Sequence, residues 1–450
     1  MQLETHSLRI LETALYELEA GFAALPDVEH AYDYDAIADV ILEVAARLRD
    51  NYPYFHPFYA GQMLKPPHPV ARIAYMLAMW INPNNHALDA GRASSQMEKE
   101  VIAALAALFG WRDCLGHLTG GGTMANMEAL WIAGRLNPGM TVVASEQAHY
   151  THARISEVLG LPYQAVPCDA RAKMDVHALE RILEGGHVGT VVATMGTTGA
   201  GSIDPLPEIL ELKARYGFRL HADAAYGGYF VLADNLAPET RRAFARLPEV
   251  DSLVVDPHKH GLQPYGCGCI LYADPSVGRF YQHDSPYTYF TSTELHLGEI
   301  SLECSRPGAA AVALWATQRL LPLVPHGAFA RDLAASRAAA LALYQRIVAD
   351  TRFRTLFPPE LDILVWAPQG QSASAISARS EAIFRAAAAE DLHFATFKYP
   401  VASLEGVWAG VDWDQPTVTC LRSCLMKPEH SDWLERIWAV LDRVTDACAG

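Results

Sequence analysis

The sequence predicts an α/β protein built on a mostly parallel sheet with helices on both of its faces. Short, almost continuous apolar runs recur between residues 140 and 257, namely MTVVAS, GTVVATMG, FRLHADAA and DSLVVDP. Amphipathic segments and glycine turns separate these runs, and strands that are buried on both faces have this composition. The chain has 450 residues, which is too long for one compact core, so we expect more than one domain.

Changes in pattern along the chain divide it into three predicted regions. Residues 1–95 form an N-terminal helical arm together with a Pro- and aromatic-rich segment, NYPYFHPFYAGQMLKPPHP. Residues 96–325 contain the four strand candidates and form the large domain. A long Ala-rich helical stretch from about residue 308 leads into a small C-terminal α/β domain, residues 326–450, with LDILVWAP and TVTCLRSCLM as its strands.

Charge and composition argue against several classes of partner. The net charge of −16 disfavours nucleic acid and anionic membrane surfaces. The N-terminus lacks the pattern of a signal peptide, and no stretch reaches the roughly 18 apolar residues of a membrane span. We therefore expect a soluble, cytoplasmic protein. Eight cysteines are too few for a disulfide scaffold and lack the spacing of a zinc site, so no metal is predicted.

Polar residues follow each of the four predicted strands of the large domain. His149 lies beyond the first strand, Thr198 beyond the second and Lys259 beyond the fourth, while Asp223 ends the third. Open α/β sheets bind ligands beyond the carboxyl ends of their strands. We therefore expect these side chains to converge at one edge of the sheet.

A glycine-rich segment, LTGGGTMANMEALW, opens a predicted helix at Gly121, Gly122 and Thr123. Exposed backbone N–H groups at a helix N-terminus suit a phosphate. Each feature taken alone has a structural explanation, such as a tight turn, a buried cap or a lysine that reaches solvent. Together they match what pyridoxal phosphate requires: a lysine for a covalent bond, a carboxylate at the pyridine nitrogen, a ring to stack on the cofactor and a phosphate cradle.

The motifs HADAAYGGY and DPHKHGLQPYG resemble those of the group II pyridoxal-phosphate-dependent amino acid decarboxylases. Aromatic and glutamate decarboxylases usually read Asn-Pro-His-Lys, whereas Asp256-Pro-His-Lys is closest to the microbial tyrosine and aspartate decarboxylase branch. The resemblance implies the type I pyridoxal-phosphate fold of aspartate aminotransferase. It also implies a homodimer with sites at the interface, a large domain that binds the cofactor and an aromatic-rich segment that helps to form the substrate pocket.

The resemblance also implies roles for individual residues. Lys259 matches the lysine that bonds to the cofactor, Asp223 the aspartate at the pyridine nitrogen, and His149 the histidine that stacks on the ring. The other cofactor-binding residues are Gly121, Gly122, Thr123, Thr198, Ala225 and His258. A loop tyrosine protonates the substrate carbon in this family, and HDSPYTYFTST offers Tyr287 and Tyr289. Contact between Asp256 and the phosphate stays open, because a carboxylate repels a phosphate unless it is hydrogen-bonded or turned away.

The expected reaction is α-decarboxylation of an L-amino acid, with an aromatic, tyrosine-like substrate favoured. Aromatic pocket walls favour an aromatic side chain, and histidine or tyrosine can hydrogen-bond a phenol. The pocket residues so predicted are Tyr52, Phe55, His56, Tyr59 and Tyr265. Arg306 keeps an acidic substrate, glutamate or aspartate, open. The alternatives are an aldehyde synthase, a carbon–carbon lyase or a transaminase on the same fold and, more remotely, a non-catalytic binding protein.

Overall fold

A seven-stranded sheet forms the centre of the computed structural model, which describes residues 5–26, 28–282 and 296–448. Its strands are β1 (Leu115–Thr119), β2 (Thr141–Ser145), β3 (Tyr163–Val166), β4 (Val188–Thr194), β5 (Arg219–Asp223), β6 (Ser252–Val255) and β7 (Gly268–Tyr272). They lie in the order β1-β7-β6-β5-β4-β2-β3. Only β7 runs antiparallel to its neighbours, which confirms the predicted mostly parallel sheet.

Helices pack around this sheet and around a second, smaller one. In chain order they are α1 (Thr5–Ala20), α2 (Tyr34–Leu48), α3 (Pro69–Ile81), α4 (Arg92–Leu108), α5 (Gly122–Leu136), α6 (Thr151–Leu159), α7 (Val176–Leu183), α8 (Leu206–Tyr216), α9 (Pro238–Phe244), α10 (Gly308–Leu320), α11 (Ala328–Ala349), α12 (Ala373–Ala389) and α13 (His430–Ala447). None of the helices in the described ranges is long and apolar enough to cross a membrane.

The predicted Ala-rich helical stretch from residue 308 is in fact two helices. The first, α10, ends at Leu320, and α11 begins at Ala328. Pro322 and Pro325 lie between them. A proline lacks the N–H of the helical ladder and disfavours helical geometry in the residue before it, so the chain turns here.

The smaller sheet lies in the C-terminal part of the chain and is antiparallel. Its strands are β8 (Phe353–Thr355), β9 (Ile363–Pro368), β10 (Ala395–Pro400) and β11 (Thr417–Cys424), in the order β10-β11-β9-β8. The strands predicted from LDILVWAP and TVTCLRSCLM are thereby confirmed. The aromatic-rich N-terminal segment is joined to this unit, because the N–H of Ala60 donates to the carbonyl of His393 at 2.8 Å and its own carbonyl accepts from Cys424 at 2.7 Å.

The interior strands of the large sheet are almost wholly inaccessible to solvent. Val191, Leu220, Ala222 and Val254 are each 0% exposed, as the near-continuous apolar runs predicted. Asp223 is almost as inaccessible as these residues but carries a charge: the residue lies at the end of an apolar strand and is only 5% exposed. A charge in such a place is costly unless hydrogen bonds and opposite charges offset the loss of water.

Candidate active site

A cavity of about 530 Å³ lies at the carboxyl ends of β2, β4, β5 and β6, beside the N-terminus of α5. This is the edge at which open α/β sheets bind ligands, and small-molecule sites span roughly 300–1,000 Å³. The cavity brings together every residue predicted to bind the cofactor. These are Gly121, Gly122, Thr123, His149, Thr198, Asp223, Ala225, His258 and Lys259.

Lys259 lies in the turn that follows β6, and its side chain is 21% exposed toward the cavity. Its Nζ is 3.0 Å from Oδ2 of Asp256, a carboxylate that is 2% exposed. The backbone N–H of Lys259 also donates to the carbonyl of Asp256 at 2.9 Å. The turn therefore places an amine at the cavity wall with a carboxylate to balance its charge.

Asp223 ends β5, and its carboxylate is held in an ionised form by its neighbours. Oδ2 is 2.8 Å from Nε2 of His152 and 3.4 Å from Nδ2 of Asn126, while the N–H of Ala225 donates to Oδ1 at 3.2 Å. Burial acts to raise the pKa of Asp223, but the hydrogen bond from His152 and the charges of His152 and Lys259 outweigh it. The pKa of Asp223 therefore lies below its usual range.

A second layer of hydrogen bonds orients Asn126. Burial, with a smaller effect of His152, lowers the pKa of His221 to about 3, so this ring is neutral at pH 7. Its Nε2 lies 2.8 Å from Oδ1 of Asn126 and its Nδ1 2.9 Å from Oγ of Ser252. Because an amide oxygen only accepts, Nε2–H of His221 is the donor in the first bond and Nδ1 accepts from Ser252. Asn126 is thus turned so that its NH₂ faces Asp223.

His149 follows β2 and forms part of the cavity wall above the strand ends. Its Nδ1 lies 2.8 Å from Oγ1 of Thr151, which fixes the orientation of the ring. Burial lowers the pKa of His149, against the opposing charge of Asp223. A neutral, oriented imidazole at this position can stack on a planar ligand and exchange a proton with it.

The N-terminus of α5 forms a cradle that only glycine permits. A Cβ on Gly122 would lie 2.6 Å from Oδ2 of Asp256, and Gly121 has a φ of +148°, which favours glycine. The cradle holds two carboxylates, because Gly120 donates its N–H to Oε2 of Glu303 at 3.0 Å. Asp256, whose contact with the phosphate the sequence left open, lies directly at the cradle.

These residues fit pyridoxal phosphate. Two buried polar atoms at the cradle, Oδ1 of Asp256 and Nδ1 of His258, have no hydrogen-bond partner within the described ranges. The glycine cradle leaves room that a side chain would fill. Lys259 supplies an amine, and the ionised Asp223 supplies the charge that a pyridinium nitrogen needs.

The predicted aromatic pocket residues lie apart from this cavity, and none of them is part of its lining. Tyr59 packs on Tyr54 at 4.8 Å between ring centroids, and His56 on Trp433 at 4.7 Å. Tyr52 and Phe55 are 59% and 45% exposed. Tyr265 comes nearest the cavity. Its ring centroid lies 4.7 Å from that of His258, which belongs to the cavity wall, and its hydroxyl donates to the carbonyl of Met63 at 3.3 Å.

Arg306 is not brought to the cavity, contrary to its predicted place in the substrate pocket. Its Nη1 lies 2.8 Å from Oε1 of Glu98 and also donates to the carbonyl of Leu118, and the side chain is almost wholly buried. A guanidinium that neutralises a buried carboxylate in this way is committed to the structure. Tyr287 and Tyr289 lie outside the described residues.

Sequence reasoning overlooked His152, Asn126 and Arg422. Arg422 is a buried arginine in the middle of β11, donating to the carbonyl of Gly199 at 3.0 Å and of Gly61 at 2.9 Å. Its buried Nη2 has no hydrogen-bond partner among the residues that the structure describes. Gly199 directly follows Thr198 of the cavity wall. The signal was present in CLRSC, since an arginine within an otherwise apolar strand needs an explanation.

Fold and site together define a pyridoxal-phosphate-dependent enzyme. The model of the family described as "Pyridoxal-dependent decarboxylase conserved domain" matches residues 125–366. The chain therefore belongs to the pyridoxal-dependent decarboxylases.

Curated relatives agree with the microbial branch of this family. The chain is 29% identical to the L-tyrosine decarboxylase of Enterococcus faecium over 390 residues, covering 64% of each protein. It is 32% identical over 270 residues to the probable L-tyrosine/L-aspartate decarboxylase of Methanothermobacter thermautotrophicus, covering 58% of this chain and 70% of the relative. The chain thus spans just under two thirds of the length of the Enterococcus enzyme.

The fold is shared with a solved structure over its full length. The structure of Oryza sativa TDC with PLP and tryptamine has a TM-score of 0.80 and 16% sequence identity, and the match covers 100% of both chains. This likeness confirms the predicted α/β fold of pyridoxal-phosphate enzymes.

Proposed function

We propose that the protein removes the α-carboxylate of an aromatic L-amino acid, with L-tyrosine favoured, and releases the amine and carbon dioxide. The observation that supports this most is the convergence of Lys259, ionised Asp223 and the glycine cradle in one cavity. The cofactor bound there supplies an electron sink for the bond between Cα and the carboxylate. The side chains of the protein would bind the substrate, orient it and return the proton.

Each cavity residue then has a separate task. Lys259 would hold the cofactor through its amine, at the wall of the cavity. Asp223 would face the pyridine nitrogen as a carboxylate and favour its protonated form, because His152 holds the pKa of Asp223 low. His149, which lines the cavity, would stack on the cofactor and return a proton to Cα, a role for which Tyr287 and Tyr289 are the alternatives.

Arg422 is the group that we assign to the substrate carboxylate. It is a permanently charged guanidinium, fixed by two backbone carbonyls and left with one unpartnered buried nitrogen within the described structure. A positioned arginine binds a carboxylate in a defined orientation. Holding the carboxylate in one direction determines which bond to Cα is broken.

The charges of the cavity support an aromatic over an acidic substrate. Lys259 is the only lysine or arginine that lines the described cavity, while Arg422 lies beside it, bonded to Gly199, and Asp256 and Glu303 line the same space. Arg306, the residue that kept glutamate or aspartate open, is paired with Glu98. A second carboxylate on the substrate would therefore meet like charges without a cation of its own. Aspartate stays the second candidate because the name of the Methanothermobacter relative includes it.

A panel of L-amino acids tests the proposal. Tyrosine, phenylalanine, tryptophan, glutamate and aspartate are supplied at equal concentration to the cofactor-loaded protein, and amine and carbon dioxide are measured together. We expect equal amounts of both products from tyrosine, and slower turnover of phenylalanine if a hydrogen bond to the phenol contributes. Turnover confined to the acidic pair would overturn the aromatic assignment, and aldehyde or keto acid as the main product would overturn decarboxylation.

We also propose that the protein acts as a homodimer and that residues 1–95, 96–325 and 326–450 are its arm, large domain and small domain. The arm supports this, because no residue of α2 is buried and its apolar face lies open at Ile37, Val40, Ile41 and Val44. This i, i+3, i+4, i+7 spacing is that of a helix face packed on a partner. Sedimentation of the purified protein should give the mass of two chains.

A further inference from the structure

Asp256 places a buried carboxylate where the cradle would receive a phosphate. Its Oδ2 would lie 2.6 Å from a Cβ on Gly122, the first residue of α5, so the carboxylate lies against the helix N-terminus. Its Oδ1 has no hydrogen-bond partner among the described residues, although Asp256 is only 2% exposed. A buried carboxylate with one unpartnered oxygen is costly in an anion site unless that oxygen makes a favourable contact with the ligand.

The groups around Asp256 provide little positive charge. On its own turn, Lys259 lies 3.0 Å and Nε2 of His258 3.6 Å away. Burial lowers the pKa of His258, so this ring is mostly neutral above pH 7. Across the cradle Glu303 adds a second carboxylate, and behind Asp256 the buried Tyr229 and Cys267 add no charge because burial raises the pKa of both.

The remaining walls of the cavity do not change this balance. His149 is neutral because burial lowers its pKa, and Asp223 is ionised and paired with His152. A phosphate monoester carries close to two negative charges above its second pKa of about 6. One ammonium and the helix N-terminus would therefore face two carboxylates and a phosphate dianion.

We propose that the cradle binds the phosphate of the cofactor together with one proton, shared between the Asp256 carboxyl and a phosphate oxygen. This inference rests on the proposed function, since it concerns the same cofactor. The unpartnered Oδ1 of Asp256 becomes an O–H donor to the phosphate, a hydrogen bond that an ionised carboxylate cannot make. A group that is protonated only in the complex makes affinity fall by about tenfold per pH unit above the pKa of the free ligand.

Pyridoxine 5′-phosphate is the probe that isolates this effect. It has no aldehyde, so its binding is free of the covalent step at Lys259. Its dissociation constant is measured by titration calorimetry from pH 6.5 to 8.5, in buffers of different ionisation enthalpy that report proton uptake. We expect the wild type to take up about one proton and to weaken by about tenfold per pH unit, whereas Asp256→Asn takes up none, binds with a nearly flat pH profile and is tighter at pH 8.5.

Two variants identify the protonated group. Glu303→Gln should tighten binding of pyridoxine 5′-phosphate but leave the pH dependence of the affinity unchanged. Glu303 is only partly buried and is bonded to Gly120. His258→Asn should also keep the slope. A slope that survives in Asp256→Asn, or that disappears in either of the other variants instead, would contradict the assignment to Asp256.

The failure of this inference is distinct from the failure of the proposed function. A wild type that binds pyridoxine 5′-phosphate without proton uptake would overturn the role of Asp256 alone. A protein that binds neither this probe nor pyridoxal 5′-phosphate at any pH would overturn the cofactor assignment and this inference with it. If Asp256 served only as a structural ion-pair partner of Lys259, Asp256→Asn would bind the probe more weakly and with the same pH dependence as the wild type.

Discussion

Two side chains on different helices hold the carboxylate of Asp223. His152 lies on α6 and Asn126 on α5, at 2.8 Å and 3.4 Å from the same oxygen. The family resemblance identifies Asp223 itself from its motif. His152 and Asn126 could not be predicted in the same way, because the direction in which a helical side chain points depends on how the helix packs on the sheet.

Under the proposed function, replacing Asp223 would remove the charge that keeps the pyridine nitrogen protonated. Asp223→Ala should fold but lose activity by ~100-fold or more, since preorganised charge stabilisation of this kind contributes several kcal/mol to the transition state. Turnover of the preferred amino acid is the measurement, with Asp113→Ala, at an exposed aspartate, as the matched control. An Asp223→Ala enzyme within a few-fold of wild type would remove the residue from this role.

We assign His152 as a positioning residue, because it contacts Asp223 and would act on the cofactor only through that carboxylate. His152→Ala should lower kcat by about tenfold with little change in KM, since the lost hydrogen bond releases the pKa of Asp223 toward higher values. His152→Gln can still donate to Oδ2 and should recover part of the loss. Equal defects in both variants, confined to KM or stability, would show that His152 is merely structural.

At the scale of elements, most interior strands of the large sheet could be predicted from the sequence, whereas its two edge strands could not. Four of the five interior strands, β2, β4, β5 and β6, coincide with the apolar runs of the sequence. By contrast β1 and β3, the two edges of the sheet, were not among the predicted strands. LGHLT contains a glycine and a histidine, and β3 has only one buried residue, so neither has the pattern of an interior strand.

The start of α5 tolerates no side chain at its first residue. Gly122→Ala would place a Cβ 2.6 Å from the Asp256 carboxylate and partly fill the cradle. We expect at least a tenfold loss of affinity for pyridoxal 5′-phosphate, measured from the visible absorption of the bound cofactor, with the fold retained. The control is Gly406→Ala, where an added Cβ meets no atom within 4 Å. Equal cofactor affinity in both variants would argue against a phosphate at this helix.

At the scale of the whole molecule, long-range pairs set limits on what the sequence could predict. Arg306 and Glu98 lie 208 residues apart in the chain, and nothing local to either residue indicates that they pair. The sequence therefore left Arg306 free for the substrate, and the fold assigns it to the core. The same holds for Arg422, which contacts Gly61 across 361 residues.

Buried histidines should make the folded state sensitive to acid. Burial and the charge of Lys427 lower the pKa of His430 to about 3, while an unfolded histidine has a pKa of about 6.5. Between these values the unfolded state binds the additional proton, so stability is complete above pH 6.5 and falls as the pH decreases. The contribution is about 1.4 kcal/mol per pH unit for one histidine.

Denaturant unfolding from pH 7.5 to 4.5 tests this contribution. In His430→Asn an asparagine oxygen can still accept the N–H of Lys427, which now donates to Nδ1 of His430 at 3.2 Å, but the titrating group is gone. The difference in unfolding free energy between wild type and variant should therefore shift by about 1.4 kcal/mol per pH unit below pH 6.5. Parallel curves would contradict the account, and His177→Asn, at an exposed histidine, serves as the control.

The central claim is that Lys259 holds the cofactor. Two other lysines of the chain, Lys65 and Lys427, are the competing candidates. Burial lowers the pKa of Lys65, and that of Lys427 to about 8, so both amines lose their proton more readily than an exposed lysine, although both donate to backbone carbonyls away from the cavity. Borohydride reduction of the pyridoxal 5′-phosphate-loaded protein, followed by peptide mass mapping, distinguishes among all seven lysines. We predict one label per chain, on Lys259, and loss of both the label and the yellow colour in Lys259→Ala. A label on Lys65 or Lys427, with Lys259 unmodified, would contradict the account.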